Sequence, residues 1–207
     1  MLVFQIVGQR GSGKTTTIEM LIKEFNKKGL KTGSIKSIGC PFFSLDNNKK
    51  SNTKRHLEAG SFLTVALSEN ETDFIYKEKL DLDKVLKFFL LENTDIVIVE
   101  GGYAYDLPRI ICAKTKDDLP FRITKNTFAI SGILTNNLTS KEAENLVSDL
   151  GISQSLQFFN VKTDATKLSD HILNTLTPYL GQTPSLEVNE EIKKHCLNCH
   201  SKQHFKN

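Results

Sequence analysis

The 207-residue chain carries a net charge of only +3, with 27 Lys and Arg against 24 Asp and Glu. Charged residues make up 25% and apolar ones 39%, a folded globular composition, and a charge this small with no basic stripe interleaved with aromatics argues against a nucleic-acid partner. No apolar stretch is long enough to cross a bilayer, and the length suits one α/β domain with a small appendage.

The chain opens on an apolar run, Leu2 to Val7, broken only by Gln5, which leads directly into Gly8-x-x-x-x-Gly13-Lys14-Thr15. This is the phosphate-binding loop pattern (Walker A) in its proper setting, a buried strand before it and helix-period apolar residues (Ile18, Leu21, Ile22, Phe25) after it. The run is therefore a core strand, not a signal peptide. Glycines let the backbone wrap around phosphate oxygens, so that consecutive N–H groups point inward at an electropositive helix N-terminus. Gly8, Gly11, Ser12, Gly13, Lys14, Thr15 and Thr16 are the expected nucleotide-binding residues, with Lys14 reaching the β- and γ-phosphates and the Thr15 hydroxyl ligating Mg²⁺.

The first helix is predicted from about Lys14 to Lys28, closed by Gly29 as a left-handed cap, and Leu30 to Ile38 reads as a second strand. Residues 39–52 form a polar loop, long for a compact domain and so a functional candidate. Thr53 to Ala59 is a short helix, Phe62–Leu67 and Asp73–Tyr76 are adjacent strands, and Leu82 to Leu90 an amphipathic helix started by Asp81. Asp95-Ile-Val-Ile-Val-Glu100 is a β-branched run typical of a parallel strand covered on both faces. Arg109–Ala113 and Thr127–Leu134 are further strands, the latter followed by Thr135-Asn136-Asn137. Ser140–Leu150 is helical, Leu156–Phe159 a strand and Asp164–Leu176 a last helix.

This alternation predicts a doubly wound, mostly parallel sheet of the P-loop NTPase type over residues 1–180, followed by a tail over 181–207. Ligands then gather at the carboxyl ends of the strands, where Gly8, Ile38, Glu100 and Asn136 lie. Glu100, directly after Ile-Val-Ile-Val, stands where a phosphate-loop protein places the acid that organises Mg²⁺. Asp95, at the other end of the strand about 16 Å away, is structural.

Four segments, in order and at family spacing, resemble the molybdopterin-guanine dinucleotide biosynthesis adapter proteins, the "protein B" of molybdenum cofactor maturation. They are Gly8 through Thr16, Ser34-Ile-Lys-Ser37, Thr53 through Ser61 with its Glu58-Ala-Gly60, and Asp95 through Gly101. The resemblance covers about residues 1 to 115 and implies a GTP-binding homodimer with weak GTPase activity. It would act beside the guanylyltransferase that joins GMP to molybdopterin. The chain departs from the family where histidines usually follow the Ile-Lys pair, since Ser37, Gly39 and Cys40 stand there. It also lacks the family's Asp before Thr53, which leaves Asp46 as the carboxylate of that loop able to approach the metal and a further catalytic candidate. Asn136 is the candidate for the purine edge, but the Asp that grips guanine in Asn-Lys-x-Asp proteins is missing, so GTP is implied by the family and ATP stays open.

Four cysteines point to a reducing, cytoplasmic compartment with metal binding rather than disulfides. Cys112 reads as strand core. In the tail, Cys196-x-x-Cys199 with His200 and His204 has the reach of a tetrahedral Zn²⁺ site, possible across a dimer; C-x-x-C-H haem attachment would require an exported chain. The alternatives to a GTP-binding adapter are a small-molecule kinase, which needs an acceptor pocket with a base, and a nucleotide-switched metal chaperone carrying its metal on the tail.

Overall fold

A computed structural model describes residues 1–39, 51–102, 105–151 and 156–179. The elements in chain order are β1 (Leu2–Val7), α1 (Lys14–Lys27), β2 (Thr32–Lys36), α2 (Asn52–Glu58), β3 (Leu63–Leu67), β4 (Thr72–Tyr76), α3 (Leu82–Leu91), β5 (Ile96–Glu100), β6 (Arg109–Cys112), β7 (Thr127–Ser131), α4 (Ser140–Asp149), β8 (Gln157–Phe158) and α5 (Val161–Leu176). Two compact units result. One comprises Met1–Ser37 and the described residues from Phe89 onward, the other the described residues of Ile38–Phe88.

The first unit is an α/β sheet of six strands in the order β2-β5-β1-β6-β7-β8, and every pairing is parallel. Alternate residues of a strand face opposite sides, and both sides are covered. Leu2, Phe4 and Ile6 of β1, with Ile96, Ile98 and Ile110, pack on Ile18, Leu21 and Phe25 of α1 and on Leu168 and Ile172 of α5. On the opposite face Val7, Ile111 and Ile130 pack with Leu119, Leu146 and Leu156. Fully burying each such side chain stabilises the fold by about 1.5–3 kcal/mol, which explains the continuous apolar runs. β1 has β5 on one side and β6 on the other, so the chain order reverses across it and a crevice opens at its carboxyl end.

Element boundaries differ from the sequence expectation where a cap or turn intervenes. α1 is closed by Gly29 N–H donating to Asn26 O (3.0 Å) and Leu30 N–H donating to Phe25 O (3.0 Å), which removes Leu30 from β2. The β7 run ends at Ser131 because the chain turns at Gly132 into a short 3₁₀ turn, Ile133–Asn137. α5 starts three residues earlier than its apolar pattern, since the Asn160 side chain caps it by accepting from Lys162 N (3.1 Å).

In the second unit β3 and β4 form an antiparallel hairpin with Val65 opposite Phe74. Phe88 packs against Phe74 and Tyr76, at ring separations of 6.5 and 6.1 Å. Ser51 caps α2 by accepting from Lys54 N (3.3 Å). No helix among the described residues is long and apolar enough to cross a membrane.

Candidate functional site

Residues 8–13 connect β1 to α1 at the switch point, and their path depends on the absence of side chains. A Cβ on Gly8 would lie 2.1 Å from the Cys112 carbonyl oxygen and 2.5 Å from Ser12 Oγ. A Cβ on Gly132, just past β7, would meet Ser12 O at 2.4 Å. Glycine at both places lets three segments close on one another, and the contact is sealed by Ile133 N–H donating to Ser12 O (3.2 Å) and Leu134 N–H donating to Ala113 O (2.9 Å). Ser12 is buried beneath the loop, and its Oγ has no hydrogen-bond partner among the described residues.

Lys14 Nζ bends back to donate to the Gln9 carbonyl (2.9 Å). Burial lowers its pKa below the usual lysine value; the Glu100 carboxylate works against that shift, whereas Lys36 and Arg122 add to it. Thr15 and Thr16 are exposed at the start of α1, open to a ligand. Glu100 ends β5, opposite Ile6 of β1 and Lys36 of β2, and its side chain is 17% exposed with Lys36 Nζ 3.7 Å from Oε1. Thr15 and Glu100 offer a hydroxyl and a carboxylate, an all-oxygen donor set of the kind Mg²⁺ takes. Asp95 is structural, as its place in the strand implies: its Oδ2 accepts from Lys31 N (2.8 Å).

Beside the loop lies a cleft of about 390 Å³ walled by Thr15, Thr16, Ile133, Asn136, Val161 and Lys162. Asn136 is thereby brought to the phosphate loop. Its partner wall comes from the β8–α5 junction, tied to it by Asn160 Nδ2 donating to Asn136 O (3.3 Å). Ile133, Val161 and Lys162 escaped the sequence reading. The available signal was topological, because residues just past the carboxyl end of any strand in a parallel sheet face the same crevice. A larger depression of about 700 Å³ beside α4 shares Thr135 and Asn160 with these loops but includes no residue of the phosphate loop.

Cys112 is core, as its strand position suggests. Burial raises its thiol to about 11, and Sγ donates to Thr17 Oγ1 (3.5 Å). Asp46 and the tail residues Cys196, Cys199, His200 and His204 lie outside the described residues. Among the described residues no group of three or more His, Cys, Asp or Glu is placed to hold a metal ion.

The family model for molybdopterin guanine dinucleotide synthesis protein B matches residues 3–136, which takes in the phosphate loop, Glu100 and Asn136. The chain belongs to this family. A Bacillus subtilis (strain 168) relative, described as a "Probable molybdopterin-guanine dinucleotide biosynthesis adapter protein", is 25% identical over 128 residues, covering 62% of this chain and 74% of its own. A Methanocaldococcus jannaschii relative, described as a "Putative molybdopterin-guanine dinucleotide biosynthesis adapter protein", is 32% identical over 122 residues, or 56% of this chain, and the match spans about half, 49%, of that protein's length. Among solved structures, Bacillus subtilis MobB superposes with a TM-score of 0.63 at 22% identity, covering 84% of this chain and 97% of that one. A MobB homologue from Bacillus stearothermophilus gives 0.59 at 19% identity, covering 86% and 99%. At these identities the structural likeness speaks for the fold, an α/β architecture with a parallel sheet.

Proposed function

We propose that the protein is a Mg²⁺-dependent GTP-binding adapter with slow hydrolysis that assists molybdopterin guanine dinucleotide assembly, working as a homodimer beside the guanylyltransferase. Family membership supports the pathway. The observation that carries the nucleotide reading is a full phosphate loop at the sheet's switch point with a cleft opening directly beside it. In this reading the backbone from Gly11 to Thr15 cradles the phosphates, and Lys14 supplies a point charge that its half-buried site makes costly without an anion. Thr15 and Glu100 hold Mg²⁺, which when bound neutralises phosphate charge. Lys36, whose Nζ lies 3.7 Å from Glu100 Oε1, would add a further positive charge beside the phosphates.

GTP is taken over ATP as part of this proposal, on family membership and on the chemistry of the residues that wall the cleft. Lys162 offers only donors, which suit the 6-oxo group of guanine and oppose the 6-amino group of adenine, and the Asn136 amide can accept from guanine N1 or N2. A Zn²⁺ held by Cys196, Cys199 and His204, with His200 the second choice for the third ligand and the fourth position left to water or a partner chain, belongs to the same proposal; elemental analysis should find about one zinc per chain, or half that if two chains share a site.

Calorimetric titration with Mg-GTP and Mg-ATP, alongside phosphate release with and without molybdopterin, tests the reading. Tight GTP binding with slow release supports it. Absence of binding, or phosphate appearing on an added small-molecule acceptor, overturns it, the latter in favour of a kinase.

A further inference from the structure

Resting on the nucleotide-binding reading above, we propose that Lys114 is a second cation of the phosphate site and that Asp118 is the residue that positions it. Lys114 lies two residues beyond the end of β6, the strand next to β1. Its side chain is laid against the phosphate loop: a Cβ on Gly11 would come 3.3 Å from both Cε and Nζ of Lys114. An exposed lysine has little reason to rest there unless its backbone is fixed, and here it is. Asp118 Oδ2 accepts from the N–H groups of Lys114 (2.8 Å) and Thr115 (3.1 Å).

The same oxygen accepts from Gln9 Nε2 (2.8 Å), a side chain of the phosphate loop itself. Asp118 is in turn held by Arg122, whose Nη1 donates to its backbone oxygen (2.6 Å) and lies 3.8 Å from Oδ1. With its side chain only 12% exposed, Asp118 is a shielded staple rather than a solvated acid. Gln9 therefore links the two lysines, its carbonyl receiving Lys14 Nζ and its amide holding the carboxylate that shapes the turn of Lys114.

The electrostatics point to an anion. Among the cations around the loop, Lys36 faces Glu100 and Arg122 faces Asp118, whereas no carboxylate among the described residues lies within ion-pair distance of Lys114. A cation anchored at its base, resting on a loop whose N–H groups gather phosphate, adds its charge to whatever anion the loop holds. The ligand class is the polyphosphate chain of a nucleoside triphosphate.

The test is calorimetry on the full chain with Mg-GTP and with GMP. Lys114→Ala should weaken GTP about tenfold while changing GMP less than about twofold, and Lys114→Arg should restore most of the loss. Asp118→Ala should show the same selective loss, and combining it with Lys114→Ala should add nothing further, since one acts through the other. Equal losses for GTP and GMP, full additivity, or no loss in the lysine variants would overturn the proposal. The lysine is exposed, so its variants decide the question even if Asp118→Ala fails to fold. A parent protein that binds neither nucleotide removes both this inference and the nucleotide reading. A parent whose GTP affinity falls in Lys14→Ala but not in Lys114→Ala removes this inference alone.

Discussion

The two ends of the nucleotide cleft are made of different material. At the phosphate end the loop between β1 and α1 is shaped by its own backbone and locked to its neighbours through Ile133 N–H on Ser12 O and the Gln9–Asp118 bond. At the other end Asn136 belongs to the 3₁₀ turn after β7 and Lys162 to the first turn of α5, the two segments being joined by side-chain hydrogen bonds from Asn160 to Asn136 O and from Thr135 to Phe159 O. Backbone donors survive every substitution except proline, so the first end is broken by changing the loop's path or its charge rather than by trimming side chains. The second can be dismantled one side chain at a time. Affinity should therefore reside at the phosphate end, and discrimination between bases at the other.

The largest effect expected is Gly8→Ala. The new Cβ would sit 2.1 Å from a backbone oxygen, which cannot swing away as a side chain would, so β1 and β6 must part. Urea unfolding should show a loss of about 3 kcal/mol, together with loss of nucleotide binding. A fully stable, binding-competent variant would show that the loop's path is not fixed by this contact. Next, Lys14→Ala should leave the fold intact while weakening Mg-GTP roughly 100-fold, about 3 kcal/mol, and abolishing hydrolysis. Undiminished binding would move the active centre elsewhere. For Glu100→Gln, nucleotide should still bind, whereas the Mg²⁺ dependence and turnover collapse, because the amide keeps the shape but not the charge. If phosphate release continues at the parent rate, the metal-organising role passes to Asp46.

At the base end the effects should be smaller and of another kind. Asn136→Ala and Lys162→Ala should each cut the preference for GTP over ATP by roughly three- to tenfold, with little change in thermal stability. The comparison sharpens if the two variants alter the ratio of affinities while Lys14→Ala lowers both affinities together. It breaks if Lys162→Ala weakens GTP and ATP equally, since Lys162 would then be serving phosphate rather than base.

The same division governs what could be read from the residues. Glycine spacing, the apolar run before it and the β-branched run ending in Glu100 each act locally, so the glycine-rich loop between β1 and α1 and its parallel sheet were legible without coordinates. Gln9 and Asp118 lie 109 positions apart, and nothing in either neighbourhood announces the other. Lys162 was hidden for a related reason: it sits in the first turn of a helix whose apolar pattern begins later, so periodicity placed the helix start beyond it. Gly132 was read as part of a strand running to Leu134, and only the structure shows that the chain turns there and lets β7 approach Ser12. Contacts that depend on which strand lies next to which become visible only once the order β2-β5-β1-β6-β7-β8 is known.

That non-local staple supplies the smallest and most specific expectation, a pH dependence. Burial on its own would raise the pKa of Asp118. The N–H groups of Thr115 and Lys114, the Arg122 charge and the Gln9 amide outweigh it and hold the carboxyl below its ordinary value. A carboxyl depressed in the folded state contributes stability that is present above its unfolded pKa and is lost as pH falls through the folded one. Asp118→Asn should therefore melt below the parent at neutral pH, and the gap should close in acid, beneath the ordinary carboxylate range. Parallel melting curves from pH 7 down to about 2 measure this directly. A gap that stays constant across the range would mean that the side chain's shape, not its charge, holds the turn, and the link from Gln9 to Lys114 would then be steric rather than electrostatic.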